Sequence, residues 1–329
     1  AWQIAARILR DHLVWDNHAC MPLRPSDDSF LPQLERMKRS QVNVVSLNIG
    51  FGPQSLLQHF RMIASFRRWI KSRSKDYLLV ETVEDIDDAQ QSGRLGVTFD
   101  MEGLFPFDEG DDGLVSAFYD LGVRWSLIAY NRNNNSGGGC MDDDGGLTQH
   151  GRRMVAEMRR VGMVICCSHT GHRTARDILD SAEGPVIFSH SNAAALHPHE
   201  RNISDELIVA CAQIGGVIGV NGIGAFHRSD TNLTDSIVNN IDYIAQLTGP
   251  DHVAVSLDYV FDQAELLKYL QTMRETIPND ASLKEPVRLA PPESFSGIVE
   301  GLLQRGYREP DLKKILGLNW RRIAEQCWR

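Results

Sequence analysis

The sequence has no apolar run approaching the ~20 residues that a membrane-spanning helix requires, so a transmembrane reading fails. It has no excess of basic residues. Lysine and arginine number 34 against 43 acidic residues, and the net charge of -9 argues against a nucleic-acid partner. Cysteine is scarce. Six thiols in 329 residues, Cys20, Cys140, Cys166, Cys167, Cys211 and Cys327, fit no disulfide framework and suit free thiols in a reducing cytoplasm. The first twenty residues lack the charged-then-apolar layout of a signal peptide. No internal repeat and no domain boundary stand out, so residues 1–329 read as one domain.

Apolar, β-branched runs, by contrast, are plentiful. Eight occur, at 13–20, 42–50, 94–102, 123–130, 161–169, 185–190, 215–222 and 252–259. Most are nearly continuous, as buried parallel strands are. Helical patterns lie between them, at 148–160 after Thr148, 172–182, 204–213 after Ser204, and 234–247 before Gly249-Pro250. Strand and helix alternating eight times predict an α/β fold, a (β/α)8 TIM barrel. The tail, 293–327, adds two or three short helices that close it. An open doubly wound sheet is the alternative, weakened because no GxGxxG follows a first strand. Two long loops, 131–147 and 277–293, fall on the side where strands end, which is the active-site face of such a barrel.

The strand ends carry the chemistry. They finish in His18-Ala19-Cys20, Asp100-Met101-Glu102, Ser168-His169, Ser189-His190 and Leu257-Asp258. One histidine at a strand end is ordinarily a hydrogen-bonded structural residue. Three, converging on one rim with two carboxylates, predict a metal site suited to zinc or a related divalent ion. Residues two apart in a strand point the same way, so His18 and Cys20 face one point. Cys20 reads either as a thiolate ligand that favours zinc or as a small buried hydrophobe. The pair Cys166-Cys167 reads as packing, and His172 reads as a residue that could line the mouth.

At these residues the chain resembles the renal (membrane) dipeptidase family, metallopeptidase M19, a branch of the amidohydrolase-like barrels. Asp16-Asn17-His18-Ala19-Cys20-Met21-Pro22 stands where that family reads D-G-H-N-D-L-P. Asp100-Met101-Glu102-Gly103, Ser168-His169, Pro185–Ser191, Arg201-Asn202-Ile203, Gly215-Gly216-Val217 with Val220-Asn221, and Leu257-Asp258 follow in the family's order. The resemblance implies a hydrolase of dipeptides, tolerant of a C-terminal D-residue, with one or two Zn2+ ions and a homodimeric assembly. By the same resemblance Glu102 bridges two ions, His18 and the residue two later hold one, and His169 and His190 hold the other. Arg201 grips the substrate carboxylate, and Asp258 handles the proton of the attacking water or the leaving amine. The sequence departs from the family at Cys20, where an Asp ligand is usual, and at Tyr130-Asn131, where a His near the substrate carbonyl is usual. Cys166 replaces a residue that is often acidic. Tyr130 is therefore expected to replace that imidazole at the developing oxyanion, with Asn131 beside it at the substrate. These departures leave open a hydrolase of another small carboxylated amide, or a metal-binding relative without activity.

Overall fold

The structure, a computed structural model, describes residues 2–107, 112–228, 230–276 and 287–329, with side chains as far as Gln271 in the helix Gln263–Thr276. Ten strands form in chain order: β1 Trp15–Cys20, β2 Val44–Phe51, β3 Tyr77–Leu79, β4 Leu95–Glu102, β5 Val123–Leu127, β6 Val164–Cys166, β7 Ile187–Phe188, β8 Val217–Val220, β9 Val253–Val255 and β10 Tyr259–Val260. All pairings between them are parallel, in the order β10-β1-β2-β4-β5-β6-β7-β8-β9.

The strands β9 and β10 are two halves of one barrel strand. Its first half pairs with β8 and its second with β1. Between them, the Ser256 amide donates to the Val220 carbonyl (3.0 Å) and the Asp258 amide donates to the His18 carbonyl (3.1 Å). The sheet therefore closes on itself as an eight-stranded barrel, which excludes the open doubly wound alternative. The eight expected strands are all present. The remaining strand, β3, was not expected. It pairs with Leu95–Val97 of β4 while β5 takes Phe99–Met101 on the same edge, so it fills the lower half of a gap that β5 leaves.

The expected helices form where their caps stand. Thr148 accepts from the Gly151 amide and opens Gln149–Val161, which stops at Gly162 in the left-handed region (φ 94°). Ser204 accepts from the Leu207 amide and opens Asp205–Gln213. The tail forms Ser294–Gln304, Glu309–Lys313, a π-helical turn Lys314–Leu318 and Asn319–Cys327. Of the two expected loops, residues 277–286 lie outside the described residues.

The strand patterning sorts the two faces of the sheet. In β2, Val45, Leu47 and Ile49 join the core between sheet and helices, while Val44 joins a second core inside the barrel. The same alternation in β4 sends Val97, Phe99 and Met101 outward. It sends Gly96, Thr98, Asp100 and Glu102 inward. The inner face thus changes character with height. Trp15, Val44, Trp125, Val164, Ile187, Val217 and Ala254 plug the lower end, and polar side chains occupy the upper end. Strict alternation, rather than a continuous apolar run, is the better description of β4.

Trp320 seals the bottom. It is 1% exposed, packs into the inner core, and its indole donates to the Val255 carbonyl (3.3 Å). Its neighbour Asn319 donates to the carbonyls of Pro250 (2.8 Å) and Val253 (2.9 Å). Trp320→Ala is expected to cost about 3–5 kcal/mol through the cavity it opens beneath the barrel. Urea unfolding should show a lower midpoint with an unchanged m-value. A loss under 1 kcal/mol would mean that the tail helices do not seal the core.

Candidate metal centre and substrate cavity

At the upper inner face three imidazoles gather around the carboxylate of Glu102. Glu102 Oε1 lies 3.4 Å from His18 Nε2, 3.2 Å from His169 Nε2 and 3.3 Å from His190 Nε2. His169 Nε2 and His190 Nε2 face each other at 3.0 Å. His18 and His190 stack with centroids 4.2 Å apart, and Trp125 lies beneath His18 at 5.4 Å.

Each imidazole is held by its other nitrogen. His18 Nδ1 donates to Asp100 Oδ1 (3.1 Å), His169 Nδ1 to Asn131 Oδ1 (2.6 Å), and His190 Nδ1 pairs with Ser189 Oγ (2.8 Å). Donation from Nδ1 of His169 fixes its tautomer and turns its Nε2 lone pair toward Glu102. Asp100 is itself fixed by Ser46 Oγ (2.6 Å) and Asn48 Nδ2 (3.1 Å). Asn48 Nδ2 also reaches Glu102 Oε2 (3.2 Å).

These atoms fit a divalent cation. Burial pushes Glu102 up to about 8 against the opposing pull of His18. Burial, with help from nearby positive charge, holds His169 and His190 well below the usual imidazole range. They are therefore neutral, the form that binds metal. Burial pulls His18 down, but the Asp100 carboxylate beside it foremost raises it well above that range. A dry carboxyl facing three Nε2 atoms is an arrangement that a cation would stabilise.

A second group adjoins the first. Cys20 Sγ lies 3.6 Å from His18 Nε2 and 3.8 Å from Asp258 Oδ1, and His18 Nε2 lies 3.3 Å from Asp258 Oδ1. His18 thus faces both groups. Burial pushes the Cys20 thiol up to about 12, against the pull of His18, so this sulfur stays protonated unless a cation meets it. Asp258 is held by Asn221 Nδ2 (2.9 Å).

Three of these residues have strained backbones. Among the described residues, the non-glycine residues with positive φ are Gln41, Asn131, His169 and Asp258, at 65°, 58°, 61° and 55°. Three of the four belong to the site, as expected where surrounding structure forces an unfavourable geometry for function. They also correct the strand ends. His169 follows β6 by three residues, His190 follows β7 by two, and Asp258 sits in the break between β9 and β10.

Above the cluster lies a cavity of about 390 Å³, lined by Glu102, Tyr130, His169, Arg201 and Asp258 among others. Tyr130 stacks on His169 (4.3 Å), and its hydroxyl bonds to that of Tyr269 (2.9 Å). Arg201 is 3% exposed and lies over Phe226, and its Nη2 donates to the His190 carbonyl (3.2 Å). Its Nε finds no hydrogen-bond partner among the described residues. Asn131 lines the cavity too, but its carboxamide oxygen is committed to His169. His172 does not line the cavity. Its side chain is half exposed, 3.5 Å from Glu206. Cys166 is buried, as expected of packing, yet its thiol donates to Ser189 Oγ (3.1 Å), directly behind His190.

A closed parallel barrel with buried imidazoles and carboxylates at the carboxyl ends of its strands defines a metal-site barrel of the amidohydrolase-like kind. The family profile described as membrane dipeptidase (Peptidase family M19) matches residues 3–274, and the chain belongs to that family. An uncharacterized dipeptidase of Schizosaccharomyces pombe is 33% identical over 202 residues, 59% of this chain and 48% of that protein. The dipeptidase tcpJ of Claviceps purpurea is 27% identical over 277 residues, 83% of this chain and 60% of that protein. The chain thus spans about half to three-fifths of the length of these two relatives. A crystal structure of an amidohydrolase from Pseudomonas aeruginosa superposes with a TM-score of 0.89 at 25% identity, covering 98% of this chain and 99% of that one.

Several residues that build the site were not singled out by the strand-end pattern: Asp100 as the support of His18, Asn48, Asn221 and Tyr269. Asp100 was readable from the alternation of β4, which puts it two residues before Glu102 on the inner face. Asp100→Asn is expected to weaken divalent-metal binding about 10- to 100-fold. Competition against a chromogenic chelator measures this, and unchanged affinity would mean that Asp100 does not orient His18.

Proposed function

We propose that the chain is a zinc-dependent dipeptidase that cleaves the peptide bond of short peptides, including those with a C-terminal D-residue. The observation that carries this reading is the meeting of Glu102 with His18, His169 and His190 under a cavity walled by Arg201. Imidazole, carboxylate and thiol donors together suit zinc. A cytoplasmic location is part of the proposal, since all six cysteines are free thiols. A homodimer is the assembly that the family likeness implies.

In this reading His169, His190 and Glu102 would hold one ion, and His18, Cys20 and Glu102 would hold a second or extend the first site. An ion bound there supplies Lewis-acid activation of a water and of the scissile carbonyl. Asp258, steadied by Asn221, takes the water's proton and returns it to the departing nitrogen. The Tyr130 hydroxyl donates to the developing oxyanion, in place of an imidazole. Arg201 takes the substrate's terminal carboxylate, its Nε being unpartnered and buried. A cavity of about 390 Å³ is at the small end for ligand sites and limits the substrate to short chains.

Cys20 and Tyr130 favour a second reading, a hydrolase of another small carboxylated amide, because both depart from the family pattern beside the reacting atoms. Zinc-loaded protein should turn over members of a broad L,L and L,D dipeptide panel. Glu102→Gln and Asp258→Asn should each lower kcat by at least about 100-fold. No turnover of any dipeptide would contradict the first reading and leave the second.

The role of Cys20 has its own test. Cys20→Asp should raise occupancy of the His18 position, measured as zinc per chain by elemental analysis. Unchanged stoichiometry and unchanged activity would mean that Cys20 is not a ligand.

A further inference from the structure

The cavity divides into two halves that follow from strand order. Arg201, Asn131 and Met141 come from the segments after β5 and β7, with Ile223 and Phe226 following β8. The other half comes from the segments after β10, β1 and β2, which are neighbours around the barrel. If Arg201 holds the carboxylate, this second half receives the residue on the amino side of the scissile bond.

Apolar side chains predominate in that half, beside the polar Gln54 and a charged cluster. The segment after β1 contributes Met21, Pro22 and Leu23, β2 contributes Phe51, and β10 contributes Val260. The helix Gln263–Thr276 contributes Leu266, Tyr269 and Leu270. The spacing of these three, at i, i+3 and i+4, is what lets one helix turn a single face to the cavity.

Charges also line this half, gathered in one cluster around Arg24. Arg24 reaches Asp262 (3.0 Å), Glu265, and Asp27 (3.0 Å). Asp262 Oδ1 also accepts from the Glu265 amide (3.1 Å), at the start of the helix. An anionic side chain in this half would have to compete with those carboxylates for Arg24, or be buried as an unpaired charge.

We infer that the amino-side subsite is built for an apolar side chain, and that the helix Gln263–Thr276 is the element that selects it. This rests on the dipeptidase reading and adds the substrate class. The substrates favoured are dipeptides with Leu, Met or Phe in the amino position, over those with Gly, Lys or Asp there. An apolar pocket discriminates by roughly 10- to 200-fold per methylene-sized difference.

The test is a panel of aminoacyl-alanines with Gly, Leu, Met, Phe, Lys or Asp in the amino position, run on the zinc-loaded wild-type protein. The expected result is kcat/KM for Leu, Met and Phe at least about tenfold above Gly, with Lys below Leu and Asp below Gly. Leu270→Asp should shrink the Leu-over-Gly ratio by at least about tenfold. Leu266→Asn, a milder change on the same face, should shrink it in the same direction if Leu270→Asp does not fold. Turnover with a flat profile, or with Lys or Asp equal to Leu, overturns this inference alone. No turnover of any member overturns the dipeptidase reading and this inference with it.

Discussion

The structure turns on the buried carboxylate of Glu102. Glu102 Oε1 sits within 3.4 Å of three imidazole Nε2 atoms, two of which face each other at 3.0 Å. Such a cluster is costly in a dry barrel interior unless positive charge is shared among its members. The surrounding fold is arranged to keep it together. The alternation of β4 aims Asp100 and Glu102 inward from the same face, and Ser46 and Asn48 of β2 hold both in place. His169 and Asp258 keep unfavourable backbone angles, at 61° and 55°.

The two sides of the cluster differ in what stands behind them. His18 is backed by the Asp100 carboxylate, whereas His169 and His190 are backed by the neutral Asn131 and Ser189. A carboxylate behind an imidazole raises its basicity as a ligand, and a neutral acceptor does so less. The side with the stronger imidazole is also the side where Cys20 stands in place of the family's Asp. Strong imidazole and soft sulfur thus lie together at His18, and the more ordinary donors lie across Glu102. If two ions bind, this asymmetry would give their positions different affinities.

The barrel was legible in the sequence because buried parallel strands announce themselves as repeated β-branched runs, and all eight formed. The short strand β3 was not legible, since three residues carry too little pattern and its place depends on where β5 begins. The five residues proposed as metal ligands, His18, Cys20, Glu102, His169 and His190, were legible as strand endings, and the structure brings them together. Their exact placement was not, because His169, His190 and Asp258 lie past the strands in conformations set by neighbouring segments. Asp100 was hidden in plain view, two residues from Glu102, until the inner face of β4 was separated from the outer. Tyr269 could not have been found. It comes from a helix after the last strand, and only closure of the barrel carries its hydroxyl to Tyr130. Asn131, expected at the substrate, lines the cavity, and its carboxamide oxygen also accepts from His169, a support that the motif did not announce.

The most direct test of the central claim is anomalous diffraction at the zinc edge from crystals grown with zinc. The account predicts a zinc ion bonded to Glu102 together with His169 and His190, and, where a second is bound, one bonded to His18 and Cys20 on the other side of Glu102. Zinc peaks confined to surface residues, with none within bonding distance of Glu102, would contradict it.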